Sequence, residues 1–119
     1  MNLQLDRPIL PAETAVIVAA LANAPVSPNA AMLVESVSSL HAVSGCDCGC
    51  GSIDFTTRDQ PNSPIADGVG TTASGNEVGV LVWGTTSTIT ALEIYSLAEC
   101  LDRGFPMPQS IRPFPAARS

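Results

Sequence analysis

Two runs late in the chain constrain the fold most. Val78–Trp83 and Thr88–Ser96 are separated only by Gly84–Ser87. The second run alternates, with Thr90, Leu92 and Ile94 on one side and Glu93 and Tyr95 on the other. That is the two-residue period of a strand with one buried face. The first run is apolar on both sides, as in a strand deep inside a sheet. The link is too short for a parallel crossover, so the two are expected as antiparallel neighbours.

A second strand pair is expected around a cysteine turn. Leu40–Cys46 and Gly51–Thr57 read as two short strands around that turn, and in the second Ile53 and Phe55 point opposite to Ser52, Asp54 and Thr56. Upstream, Met1–Pro11 reads as an extended arm ending in prolines. Ala12–Asn23 reads as a buried helix with Glu13 near its positive end. A second helix is expected from Ser27 as cap and Pro28 in the first turn, with Ala30, Leu33, Val34 and Val37 on one face. The stretch before Glu77 could add a weak strand ending in a Ser-Gly-Asn turn. Residues 104–119 form a proline-rich tail, either draped over the domain or frayed. The expected fold is one α+β domain over 1–119, with two N-terminal helices packed on one face of a roughly four-stranded antiparallel sheet.

Composition narrows the functional classes. Apolar residues make up 45% and charged residues 13%, a balance that opposes disorder. Eleven acids against five bases, all of them arginine, give a formal charge of −6. A chain of that sign repels phosphate backbones and anionic bilayers, so nucleic-acid and membrane binding are disfavoured. A basic protein partner is compatible with it. The leading segment carries Asp6 and Glu13 against Arg7 and holds two prolines, which opposes a secretory signal, and the expected compartment is cytoplasmic.

The cysteines are the most specific chemical feature. In a hairpin with Asp47-Cys48-Gly49 as its loop, Cys46 and Cys50 face each other with β-carbons about 5 Å apart, and Cys48 sits at the tip. Three outcomes are open. The facing thiols can bridge, although a disulfide wants β-carbons nearer about 3.8 Å. The three sulfurs can converge on a soft ion such as zinc or copper(I) if the glycines curl the loop. Or the residues simply make a tight turn of reduced thiols. For a metal, the candidate ligands are Cys46, Cys48, Cys50 and His41, the single histidine; Cys100 reads as core. Gly68-Val69-Gly70-Thr71-Thr72-Ala73 loosely matches a dinucleotide-binding fingerprint, but no helix pattern follows, and it is rejected. Among the aromatics, Trp83 reads as core and Tyr95 as the better surface anchor.

The segments "CDCGCGSIDF" and "VGVLVWGTTSTITALEIYSL" resemble a group of small bacterial proteins of uncharacterised function. The matching positions are Cys46, Cys48, Gly49, Cys50 and Ser52–Phe55, then Gly79–Leu81 and Leu92–Ser96. The resemblance covers about the second half of the chain and implies a small α+β domain without an activity. The functional expectation is a non-enzymatic binding module, with a soft metal (zinc or copper) at the cysteine turn. The alternatives are an acidic protein that neutralises a toxin or enzyme partner, and a thiol redox protein.

Overall fold

A computed structural model describes residues 2–46, 52–56, 62–97 and 105–114. The elements follow in order as β1 (Asn2–Pro8), α1 (Pro11–Asn23), α2 (Ala30–Leu33), a 3-10 segment (Val34–Ser39), β2 (His41–Cys46), β3 (Ile53–Asp54), β4 (Ser63–Thr71), β5 (Glu77–Gly84), β6 (Ile89–Ser96), a 3-10 turn (Pro108–Ser110) and β7 (Arg112–Pro113). The strands make one sheet in the order β1-β2-β3-β6-β5-β4-β7, and every pair is antiparallel.

This corrects the expected four-stranded sheet under two helices. The sheet has seven strands, and the helical part is small. Three strands were underread. The extended arm pairs with β2 as a full strand, Asn2 opposite Cys46 and Pro8 opposite His41. The stretch Ser63–Thr71 is rich in glycine and carries Asp67, so its own pattern is poor, but β5 pairs with it along nearly its whole length. Tertiary pairing here overrides local propensity. Finally, the proline-rich tail is draped rather than frayed over residues 105–114, where β7 lines the outer edge of β4.

The second expected helix shrinks to one turn. It begins at Ala30 with Asn29 as its N-cap, two residues after the expected cap Ser27, whose Oγ accepts from Asn29 N–H at 3.2 Å in the preceding turn. Beyond Leu33, however, Ser36 Oγ donates to Leu33 O (2.8 Å) and Ser39 Oγ donates to Ser36 O (2.9 Å). Serines that bond back to carbonyls three residues earlier compete with the α-helical ladder, and the chain tightens into 3-10 geometry.

Helix α1 keeps its expected place. Its entry is tied by Glu13, whose Oε1 accepts from Leu10 N–H at 2.9 Å, so one orphan donor is satisfied without a capping side chain at Leu10 itself. The same carboxylate accepts two hydrogen bonds from Arg7 at 3.1 and 2.9 Å, a fork that clamps β1 to the helix. Val16, Ile17, Ala20 and Leu21 are buried against the sheet, where Val78, Val80, Val82, Leu92 and Ile94 complete the core.

Residues directly opposite in an antiparallel ladder share a face. Val78, Val80 and Val82 on β5 therefore share the helix-covered face with Gly70, Gly68 and Ala66 on β4, and with Ile94 and Leu92 on β6. Close approach explains Gly68, since a β-carbon there would lie 2.9 Å from that of Ala24 at the helix end. The tail lies on this side too, with Pro106 and Ile111 against Gly70. It bonds to the edge of β4 through Met107 N–H to Thr71 O (2.9 Å) and Phe114 N–H to Asp67 O (3.2 Å). An edge strand closed in this way offers few free backbone groups for aggregation.

Gly68–Ala73 runs along β4 into a turn, where Gly75 takes φ +91°, and β5 follows. The rejected dinucleotide fingerprint is thus strand and turn, with no helix after it.

Candidate functional site

The odd-numbered positions of β5 from Gly79 to Trp83 and of β6 from Ala91 to Tyr95 lie on the face opposite to Val78, Val80 and Val82; Ile89, beyond a register shift, belongs to the core. The register places Asp67, Leu81 and Glu93 in one cross-strand row. The next row holds Val69, Gly79 and Tyr95, and the row on the other side holds Pro64, Trp83 and Ala91. Asp54 lies opposite Ala91 and Ser44 opposite Asp54, extending that last row across β3 and β2.

Among the described residues, no helix packs on this face; Val69 and Ala91 are buried, while its larger side chains stay partly open. Leu81, Trp83 and Glu93 are half-buried, and Tyr95 is 38% exposed. The Tyr95 ring lies across Gly79, where a β-carbon would sit 2.1 Å from the ring. Glycine at that position is what lets the ring lie flat on the sheet. Trp83 Nε1–H donates to Glu93 Oε1 at 2.8 Å, which fixes the indole beside that carboxylate. Ser44 Oγ donates to Asp54 Oδ2 at 2.9 Å.

Asp67 differs from these acids. Its Oδ1 is buried and accepts no hydrogen bond. Burial pushes its carboxyl above the ordinary value of 3.8. Phe114 bonds to its backbone, Leu81 stands opposite, and the nearest cation in sequence register, Arg112, is drawn instead to Glu77. Tyr95 responds to the same surroundings. Burial, and then the charges of Asp67 and Glu93, push its phenol above the usual value of 10.0. Among the described residues, Thr90 Oγ1 is also buried without a partner, but it is a neutral hydroxyl, for which the cost is smaller than for a carboxylate.

The face therefore combines an apolar floor at Leu81, carboxylates on either side of it, and an aromatic ring in each neighbouring row. Asp67 and Glu93 stand two strand spacings apart, about 9.6 Å. Rings and carboxylates both attract positive charge, and such a surface favours cationic groups.

Most of the expected metal site lies outside the described residues. Cys48 and Cys50 lie outside the described residues, as does Cys100; the backbone of Cys46 ends β2. The ladder sets Gly45 opposite Ile53 and Ser44 opposite Asp54. The expected facing pair of Cys46 and Cys50 involves Cys50 and so lies outside the described residues. His41 starts the same strand that Cys46 ends. Five residues of strand separate them by on the order of 16 Å, too far to share one ion. His41 Nε2 instead meets Asp6 Oδ1 at 2.6 Å, on the exposed β1–β2 flank. Among the described residues, no group of three or more His, Cys, Asp or Glu side chains could hold a metal ion.

A groove of about 590 Å³ lies between the end of α1 and α2, lined by Leu21, Ala22, Pro25, Ala31, Val34 and Glu35 among others. Exposed Val26 and Met32 belong to the same segment. The groove gathers no set of polar groups that would select a ligand. Among the described residues, no helix is long and apolar enough to cross a membrane.

Of the residues of the open face, Tyr95 and Glu93 were legible from the alternation of β6. Trp83, read as core, is half-buried with its indole N–H committed to Glu93. Asp67 was missed, because it lies in a stretch read only as a weak strand. Its one signal in the sequence is a lone acid between apolar and glycine positions in "IADGVG".

Comparison with protein-family models, with curated proteins and with solved structures found no match for this chain.

Proposed function

We propose that this chain is a non-enzymatic binding module that engages a basic protein partner through the open face of its sheet. The observation that carries the reading is the juxtaposition of Asp67, Glu93, Trp83 and Tyr95 around half-buried Leu81. Partly exposed aromatics supply contact area at small entropic cost, and interfaces are enriched in them. The formal charge of −6 adds long-range attraction for a partner of opposite sign.

An NMR titration of the labelled protein with a soluble basic polypeptide tests this reading. Shift changes concentrated at Asp67, Leu81, Trp83, Glu93 and Tyr95 support it. Glu35 is exposed and lies off this face, so it reports attraction to bulk charge alone. Changes spread evenly over Asp6, Glu35 and the open face would overturn the reading.

A second reading rests on the β2–β3 register. Gly45 pairs with Ile53, and in sequence Cys46, Cys48 and Cys50 lie between these two residues. Cys46, Cys48 and Cys50 would there hold a soft ion such as zinc, with His41 excluded by its place at the far end of β2. Zinc titration with counting of free thiols checks it: a stoichiometric ion that protects three thiols supports it, and full thiol reactivity with zinc present removes it.

A further inference from the structure

The two acids that flank Leu81 are not equivalent. Glu93 already accepts a hydrogen bond from Trp83 at 2.8 Å. Asp67 has a buried oxygen with no donor, and Arg112, in the adjoining β7 row, is committed to Glu77. A buried acceptor left unmade is costly, so a native fold that keeps one needs a reason. Beside it, the Tyr95 ring lies flat over Gly79, one row along the same face. An unpaired carboxylate next to a flat, partly exposed ring is half of a recognition pair, and the other half must come from outside.

Resting on the reading above, we infer that the open face anchors its partner through an arginine side chain seated on the Tyr95 ring and hydrogen-bonded to the Asp67 carboxylate. The guanidinium plane stacks on an aromatic face, its several N–H groups fork onto a carboxylate, and its weak hydration lowers the cost of entering a half-buried site. A lysine ammonium is a compact, strongly hydrated charge that offers neither the plane nor the fork. The carboxyl torsion is broad and two-fold, so either oxygen of Asp67 can turn toward the incoming donors. Glu93, held by the indole, then contributes charge at the rim of the contact.

The chain holds one tryptophan and one tyrosine, and both lie on this face, so intrinsic fluorescence reads the site directly. The probes are a short Gly-Ser peptide carrying arginines and its lysine counterpart of equal length and charge, titrated at low and at moderate salt. The arginine peptide is expected to bind about tenfold more tightly. Asp67→Asn, checked for folding by its denaturation curve, is expected to remove that preference, and Glu35→Gln, an equal change of charge in the α2 groove, to leave it intact. Equal affinity for the two peptides, with Asp67→Asn no different from Glu35→Gln, would overturn the arginine anchor while leaving the basic-partner reading in place. Failure of both peptides to bind at low salt would overturn both.

Discussion

The two faces of β5 and β6 are built from alternate positions of the same strands, yet they obey different rules. On the covered face, Val78, Val80, Val82, Leu92 and Ile94 are each at most 3% exposed and belong to one apolar cluster with the buried residues of α1. On the open face, Gly79, Leu81, Trp83, Glu93 and Tyr95 mix a missing side chain, half-buried apolar groups, a carboxylate and a surface ring. One face is specified by volume and the other by chemistry. A sheet with only structural duties would carry scattered polar residues on its open side. The paired indole and carboxylate, the glycine that lets a ring lie flat, and the acid without a donor are more specific than that.

The contrast can be broken most forcefully from the covered side. Leu92 is fully buried, and Leu92→Ala is expected to cost about 2–5 kcal/mol by the usual cavity arithmetic. Leu81→Ala deletes the same atoms from the half-buried floor of the open face and is expected to cost about 1 kcal/mol. Parallel urea denaturation of the two variants checks this. Equal losses would mean that both faces are core, and the open face would have no claim to be a site.

A smaller effect sharpens the comparison. In Gly79→Ala the new methyl occupies the position of the Tyr95 ring, whose nearest atom is 2.1 Å away. The clash is with the far end of a side chain, so the ring can swing aside while the backbone stays. Stability is expected to move by no more than about 1 kcal/mol, with the ring resonances of Tyr95 shifting strongly and those of core valines hardly at all. A large loss of stability would instead tie the ring to the fold.

These contrasts also show why the sequence was readable in some places and not in others. The alternation in Thr88–Ser96 is strong because one face of β6 is dry and the other half-wet, so the period is written in polarity. Helix α1 was legible from its apolar content and from Glu13, and the structure adds that Glu13 is clamped by Arg7. β4 left a weak trace. Its glycines serve close approach to Ala24 and to Pro106, contacts made by residues far away in sequence. The length of the second helix failed for a different reason, because serines that read as neutral surface residues bonded back to the chain. Asp67 needed three-dimensional neighbours to become conspicuous: an aspartate in a strand is unremarkable until its partners are counted and found missing.

The subtlest expected effect concerns that residue and its dependence on pH. Burial raises the carboxyl of Asp67 above 3.8 in the folded protein, while in the unfolded chain it returns to its ordinary value. The folded state therefore binds this proton more tightly. By linkage, the contribution of Asp67 to stability is greatest below the ordinary value, where both states are protonated, and it falls as pH rises through the raised one. At neutral pH the ionised group is a small net cost. Asp67→Asn removes the titration while keeping the shape, so its stability relative to the parent is expected to grow as pH rises from below 3.8 toward neutrality and then level off. Denaturation curves for both proteins over that range read the difference directly. The charge on Asp67 would then oppose folding at the pH where a cationic partner would need it, the usual sign of a residue kept for binding. A difference that stays flat with pH, or that favours the parent at neutral pH, would mean that Asp67 finds a donor within the protein itself, and the open face would lose its anchor.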